Sequence, residues 1–139
     1  MSSSTPPRTA NFRVLTHPNG TATLVDPENG QSMRSRIGPV AEADLVYSGP
    51  ARIEDRLNGD GSEHVLYDVG MGTAANALRT LERIRKKPEA LGRLEIDSFE
   101  TKPEGLATAI GNPSEFPWLR DGSLEGILKN LLDRSEVRF

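Results

Sequence analysis

The stretch "HVLYDVGMGTAANALRTLERI", His64 to Ile84, constrains the fold more than any other part of the chain. An apolar run closes on Asp68, Gly70 and Gly72 follow one residue apart, and an amphipathic segment begins at once. "HVLYDV" reads as a short strand of the buried type. Beyond the glycines, Ala74, Ala77, Leu78, Leu81 and Ile84 recur every three or four residues, which predicts a helix with one apolar face. Arg83, Arg85, Lys86 and Lys87 crowd its last turn, and Pro88 ends it. Cations placed there oppose the negative end of the helix dipole. A phosphate contact is the other reading of the same cluster.

"RLEIDSFE" predicts a second strand ending on Glu100. "KPEGLATAIGN" predicts a helix that starts at Pro103, a residue suited to a first turn, and stops near Gly111. "SLEGILKNLLDRSEVRF" puts Leu124, Ile127, Leu128 and Leu131 on one face of a further helix. Strand, helix, strand, helix, helix is the opening half of a doubly wound parallel α/β sheet. Such a sheet buries both of its faces. Residues 61–139 are therefore expected to hold only a first half. Self-association or a C-terminal catalytic half is expected to supply the rest.

Residues 1–10, "MSSSTPPRTA", read as a disordered tail without the apolar core of a signal peptide. Residues 11–60 read as a β-hairpin and a helical lead-in segment. Asn19-Gly20 and Asn29-Gly30 are strong turn signals. Thr21 to Val25 and Ser32 to Ile37 are expected to pair as the hairpin. A helix is expected from Val40 to Tyr47, stopped by Gly49-Pro50, with a helical turn in "ARIEDRL" after it.

The absence of cysteine excludes disulfides, thiolate metal sites and cysteine nucleophiles. His17 and His64 lack a metal-ligand spacing, so no metal is expected. A net charge of −3 gives the whole molecule no general attraction for nucleic acid. No apolar run approaches the ~20 residues of a membrane span. A cytoplasmic protein without a membrane partner is the default expectation.

Gly70 and Gly72 stand at the carboxyl end of the first strand, where open α/β sheets bind ligands. Glycine lets a ligand approach the backbone without meeting a Cβ. A tight turn with no ligand is the plain alternative. Glu100, ending the next strand, is placed to accept hydrogen bonds from ribose hydroxyls. A dinucleotide site would read Gly-x-Gly-x-x-Gly/Ala, with Ala75 in the last place, but its acidic residue comes about 20 residues on. Glu100 is later than that, and a carboxylate at Asp68 repels a pyrophosphate. S-adenosylmethionine (SAM) carries no phosphate, and its ammonium and sulfonium suit a carboxylate. The pair Asp68 and Glu100 favours SAM.

"YDVGMGTAANAL" resembles the SAM-binding turn of the MnmC-like methyltransferase family, Asp-x-Gly-Phe-Gly-Thr-Gly-Leu-Asn-Ala-Leu. Asp68, Gly70, Gly72, Thr73, Asn76, Ala77 and Leu78 match, while Met71 replaces phenylalanine and Ala74 the third glycine. "DSFETKPEGL" is similar to the family's Ser-x-Glu-Lys-x-Pro segment through Ser98, Glu100 and Pro103. "PSEFPWL" resembles the helix-loop that follows. "NGTATLVDPENGQSMRSRIGPVAEA" resembles the N-terminal hairpin and its Ser-x-x-Gly-Ala-x-x-Glu-Ala continuation through Ser35, Gly38, Glu42 and Ala43, with Pro39 in place of alanine. The likeness runs from about Gly20 to Leu132.

The resemblance implies a Rossmann-like class I methyltransferase sheet, incomplete here, with an N-terminal β-hairpin. It implies methyl transfer from SAM to an aminomethyl nitrogen on a wobble uridine of tRNA, with tRNA as substrate and no metal. Gly70, Met71, Gly72 and Thr73 would belong to the cofactor turn. Asp68 would face the ammonium and Glu100 the ribose. Ser35, Gly38 and Glu42 would close the pocket, Glu42 being otherwise a solvated helix charge. Arg34 and Arg36 would touch tRNA phosphate or serve only solubility. The family's later Asp-x-Phe-x-Pro motif, which helps build the acceptor site, is not found, and no catalytic residue is identified. Weak or absent methyl transfer by this chain alone is therefore expected. Two alternatives stay open: a SAM-binding or interaction module without activity, and a nucleotide-dependent oxidoreductase fragment.

Overall fold

The computed structural model describes residues 11–33, 36–57, 62–87, 92–120 and Leu128. Two small sheets and a set of helices make a mixed α/β fold. The first sheet is an antiparallel hairpin of β1 (Arg13–Thr16) and β2 (Ala22–Val25), in the register Arg13↔Val25 to Thr16↔Ala22. Asn19-Gly20 makes its turn, with Gly20 at φ 82° and the Asn19 carboxamide oxygen accepting from the Thr21 N–H at 3.1 Å. The hairpin is thus one strand earlier than the sequence suggested. Beyond Asn29-Gly30 the chain makes only an isolated bridge, Val25↔Ser32. All four β2 residues are buried, so β2 needs a partner strand along its whole length, and Arg13–Thr16 provides it.

The lead-in helix also runs further than expected. α1 (Pro39–Glu42) continues into a π-helical stretch (Ala43–Tyr47) and then α2 (Ser48–Ala51), straight through Gly49-Pro50. Proline lacks an N–H and clashes with a preceding carbonyl in a regular α-helix. The wider π turn relieves this, and the Ser48 hydroxyl donates to the Ala43 carbonyl at 2.9 Å. A Cβ on Gly49 would lie 2.0 Å from the Asp44 carbonyl oxygen, so only glycine fits. Arg52, left-handed at φ 49°, turns the chain into α3 (Ile53–Arg56).

β3 (Glu63–Val69), α4 (Ala75–Arg85) and β4 (Arg93–Phe99) form a β–α–β unit, and α5 (Glu104–Ile110) follows. β3 and β4 pair in parallel, from Glu63↔Arg93 to Val69↔Phe99. A wider Rossmann-like sheet is not seen among the described residues. Nor is β3 a buried strand: burial alternates along it, and Val65, Tyr67 and Val69 are exposed, joined on that face by Phe99. Leu124, Ile127 and Leu131 lie outside the described residues, as do residues 1–10; Leu128 is helical and buried.

The core sits between the hairpin and the carboxyl end of the parallel pair. Phe12 and Leu24 come from the hairpin, Met71 and Ala74 from the glycine turn, Leu78 from α4, Leu106 and Ala109 from α5. Phe116 and Leu119 close it. α4 is also bound to the lead-in helices by charge. Arg79, Arg83 and Lys87, four residues apart, pair with Asp44, Glu54 and Asp55. Part of the basic cluster at the end of α4 is therefore matched to acids from another segment, a reading distinct from a dipole effect or a phosphate site.

Candidate functional site

The parallel register brings Asp68 beside Ser98 and Val69 beside Phe99 at the carboxyl ends of β3 and β4. The chain then turns sharply. Gly70 N–H donates to the Phe99 carbonyl at 2.8 Å, and Met71 N–H shares that acceptor at 3.3 Å. Gly70 (φ 76°) and Gly72 (φ 55°) both adopt left-handed backbone that side chains disfavour. A Cβ built on Gly70 would meet nothing within 4 Å, so the turn borders open space at that point.

Two carboxylates flank the turn. Asp68 is 6% exposed and accepts from the Ser98 hydroxyl at 2.9 Å. Glu100 is half-buried and bridges two backbone donors: Gly72 N–H to Oε2 and Lys102 N–H to Oε1, both at 2.9 Å. Charged hydrogen bonds of this kind fix a side chain in place. A carboxylate has about four lone-pair sites, so both acids keep capacity for a ligand.

Ala74 caps α4 at φ 61°, the left-handed conformation of a glycine. It stands where the family's turn has its third glycine, and its methyl group is buried in the core. The alanine thus holds a backbone conformation that glycine favours. Met71 is likewise buried in the core. Thr73 is buried, its hydroxyl without a hydrogen-bond partner among the described residues, and its carbonyl accepts from the Trp118 indole N–H at 3.2 Å. Trp118 in turn stacks edge-on against Phe116, centroids 5.4 Å apart.

Asp68, Gly70, Met71, Gly72, Thr73 and Glu100 are therefore brought together. Gly38 packs beside the hairpin turn: it is buried at φ 92° with a built Cβ only 2.8 Å from Thr21 Cγ2. Glu42 is half-buried on α1, its N–H donating to the Gly38 carbonyl at 3.0 Å. Ser35 and Arg34 lie outside the described residues. Lys102 and Trp118 were not singled out in the sequence. Each reaches its partner across a long sequence separation, 76 residues for Lys102 to Asp26 and 45 for Trp118 to Thr73, which no local pattern announces. Among the described residues no group of acids and histidines is arranged to hold a metal. No helix among them is long and apolar enough to cross a membrane.

Known proteins resemble this chain in sequence and in shape. The chain is 32% identical over 81 residues to the tRNA 5-methylaminomethyl-2-thiouridine biosynthesis bifunctional protein MnmC of Burkholderia vietnamiensis. This chain thus resembles an N-terminal portion of MnmC. The match covers 58% of this chain and 12% of the Burkholderia protein. The crystal structure of MNMC2 from Aquifex aeolicus superposes with a TM-score of 0.55 at 25% identity, covering 68% of this chain and 31% of the solved one. The matches thus span well under half the length of either relative. No family model matches it.

Proposed function

We propose that this chain binds SAM at the Gly70–Gly72 turn and serves a SAM-dependent methyltransferase, as the enzyme or its cofactor-binding part, in the modification of a tRNA wobble uridine amine. The observation that carries the reading is the pairing of bare turn and fixed carboxylate. Gly70 offers backbone to open space, while Gly72 and Lys102 hold Glu100 beside it. The donor set fits SAM. Glu100 would take the ribose hydroxyls, Asp68 would face the ammonium, and the backbone of Gly70 to Thr73 would border the methionyl chain. Two carboxylates so close to the turn oppose a pyrophosphate, which counts against a dinucleotide. Bound SAM supplies an activated methyl group. The protein's own part is to hold ligand in one orientation, the step in which positioning contributes most.

The tRNA substrate is supported by the printed name of the Burkholderia relative, which concerns tRNA 5-methylaminomethyl-2-thiouridine. A cytoplasmic location belongs to the same proposal. Ser35, Gly38 and Glu42 are kept as pocket-closing candidates. A second reading is a module that binds SAM without transferring its methyl group.

Calorimetric titration of the purified chain with SAM tests the proposal, with NAD as control and Glu100→Gln beside it. SAM binds the parent, and the variant weakens it at least about tenfold, or ~1.4 kcal/mol. A folded chain that ignores SAM overturns the reading. Incubation with undermodified tRNA then separates the two forms: methyl transfer supports the first, and SAM binding without transfer supports the second.

A further inference from the structure

Lys102 joins the glycine turn to the N-terminal hairpin. Its backbone N–H holds Glu100 Oε1 at 2.9 Å, the carboxylate that also accepts from Gly72. Its ammonium reaches the other way, to Asp26 Oδ2 at 2.6 Å and Glu28 Oε2 at 2.5 Å. Asp26 is 8% exposed and organises the loop after β2. Its Oδ1 accepts from Glu28 N–H at 2.9 Å, its N–H donates to Gln31 O at 3.0 Å, and its carbonyl accepts from Gly30 N–H at 2.8 Å. That loop leads into Met33, whose N–H donates to Leu24 O at 2.8 Å. Met33 Sδ lies 4.0 Å from where a Cβ on Gly72 would stand, and its Cε 3.3 Å from one on Gly105. The hairpin loop therefore meets the turn region twice, by charge at Lys102 and by apolar packing at Met33. Removing the ammonium would leave the Asp26 carboxylate buried without its cation, an unfavourable state that the loop relieves by moving.

We infer that Lys102 is a positioning residue: its ammonium seats the Asp26–Glu28 loop on the glycine turn, and so fixes the Glu100 carboxylate for the ligand held there. It acts through Glu100 and Met33 and touches no ligand itself. The ligand half of this inference rests on the SAM reading; the seating of the loop does not.

Hydrogen exchange of the full chain without ligand tests the seating. The Gly72 amide reports the bond to Glu100 directly. In Lys102→Met and in Asp26→Asn it exchanges at least about tenfold faster, while amides in the middle of α4 keep their rates and Lys102→Arg stays near the parent. Unchanged protection of Gly72 in a folded Lys102→Met overturns the inference. Should that variant fail to fold, Asp26→Asn decides in the same way, because it leaves the lysine intact and paired with Glu28. SAM titration of the same proteins tests the ligand half: about tenfold weaker binding in Lys102→Met, restored by Lys102→Arg, supports it. Equal affinities overturn it. A parent that binds no SAM, with Gly72 exchange still governed by Lys102, sinks the SAM reading and supports the seating role.

Discussion

Gly72 and Glu100 are 28 residues apart in sequence, and the backbone N–H of the first donates to the carboxylate of the second at 2.9 Å. The bond crosses from the β3–α4 turn to the end of β4. It makes an acid that a ligand would use part of the frame that shapes the turn.

Glu100→Ala removes the acceptor of two backbone donors, Gly72 and Lys102. Hydrogen bonds to a charged group contribute roughly 1.5–3 kcal/mol each, partly recovered when the freed donors meet water. The ligand-free variant is expected to unfold at lower urea, by about 2 kcal/mol, with Glu100→Gln between it and the parent. Coincident unfolding curves for all three would show that the bond adds nothing.

Gly70 and Gly49 are glycine for different reasons. Gly70→Ala places a Cβ in open space at a left-handed φ, a backbone cost of about 1–2 kcal/mol. Gly49→Ala drives its Cβ into the Asp44 carbonyl oxygen at 2.0 Å, and is expected to exceed the ~1–3 kcal/mol of ordinary overpacking. Thermal melts rank the two. If Gly70→Ala were the worse, the π-helical contact would not be as tight as described.

Arg79 grips Asp44 through Nε at 3.0 Å and Nη2 at 2.8 Å, and also pairs with Glu82. A double-mutant cycle on Arg79→Ala and Asp44→Ala should return a coupling of about 1 kcal/mol. Arg79→Lys should recover little of it, because an ammonium cannot reproduce the two-pronged contact. Full recovery by lysine would reduce the pair to simple charge attraction.

Several carboxyls titrate below their ordinary range. The Lys102 hydrogen bond does this at Asp26, with help from the Glu28 N–H. Hydrogen bonds from Lys87 and Arg52 do it at Asp55, and from Lys86 at Glu82. At Glu54 burial works upward, and the Arg83 hydrogen bond, a backbone hydrogen bond and the Arg83 charge together outweigh it. A depressed folded pKa stabilises fully above the unfolded value, about 4 for these groups, and is lost as pH falls through the folded one. The urea midpoint is therefore expected to hold from neutrality to about pH 5 and to fall steadily below it. A midpoint that stays level down to pH ~3 would remove these pairs from the account of stability.

The uncovered face of the parallel pair carries Tyr67 at 67% and Val69 at 78% exposure, with Val65 and Phe99 beside them. Tyr67 and Phe99 already pack on one another, centroids 6.0 Å apart. Contiguous apolar surface of this kind suits association with a second copy, and the test is direct. Sedimentation is expected to show a concentration-dependent second copy, weakened by Tyr67→Ser with Val69→Ser. A monomer at every concentration would refute this.

The sequence by itself determined the local elements of the β–α–β unit. An apolar run placed β3, three-to-four-residue spacing placed α4, and Pro103 with Gly111 bounded α5, all close to their observed limits, although the apolar run also suggested a buried β3 that the structure leaves half exposed. It also brought Asp68, Gly70, Gly72 and Glu100 into one site, since the carboxyl ends of adjacent parallel strands must meet. Pairing was decided only in the tertiary structure. β2 could take either flanking segment as its partner, and burial of all its residues selected Arg13–Thr16. Gly49-Pro50 looked like a stop and became helix, because a π turn absorbed the missing N–H. The basic end of α4 found acids on the lead-in helices, and Lys102 found Asp26 across the fold. A lone charge in a sequence carries no mark of its partner; only the packed chain brings the two within reach.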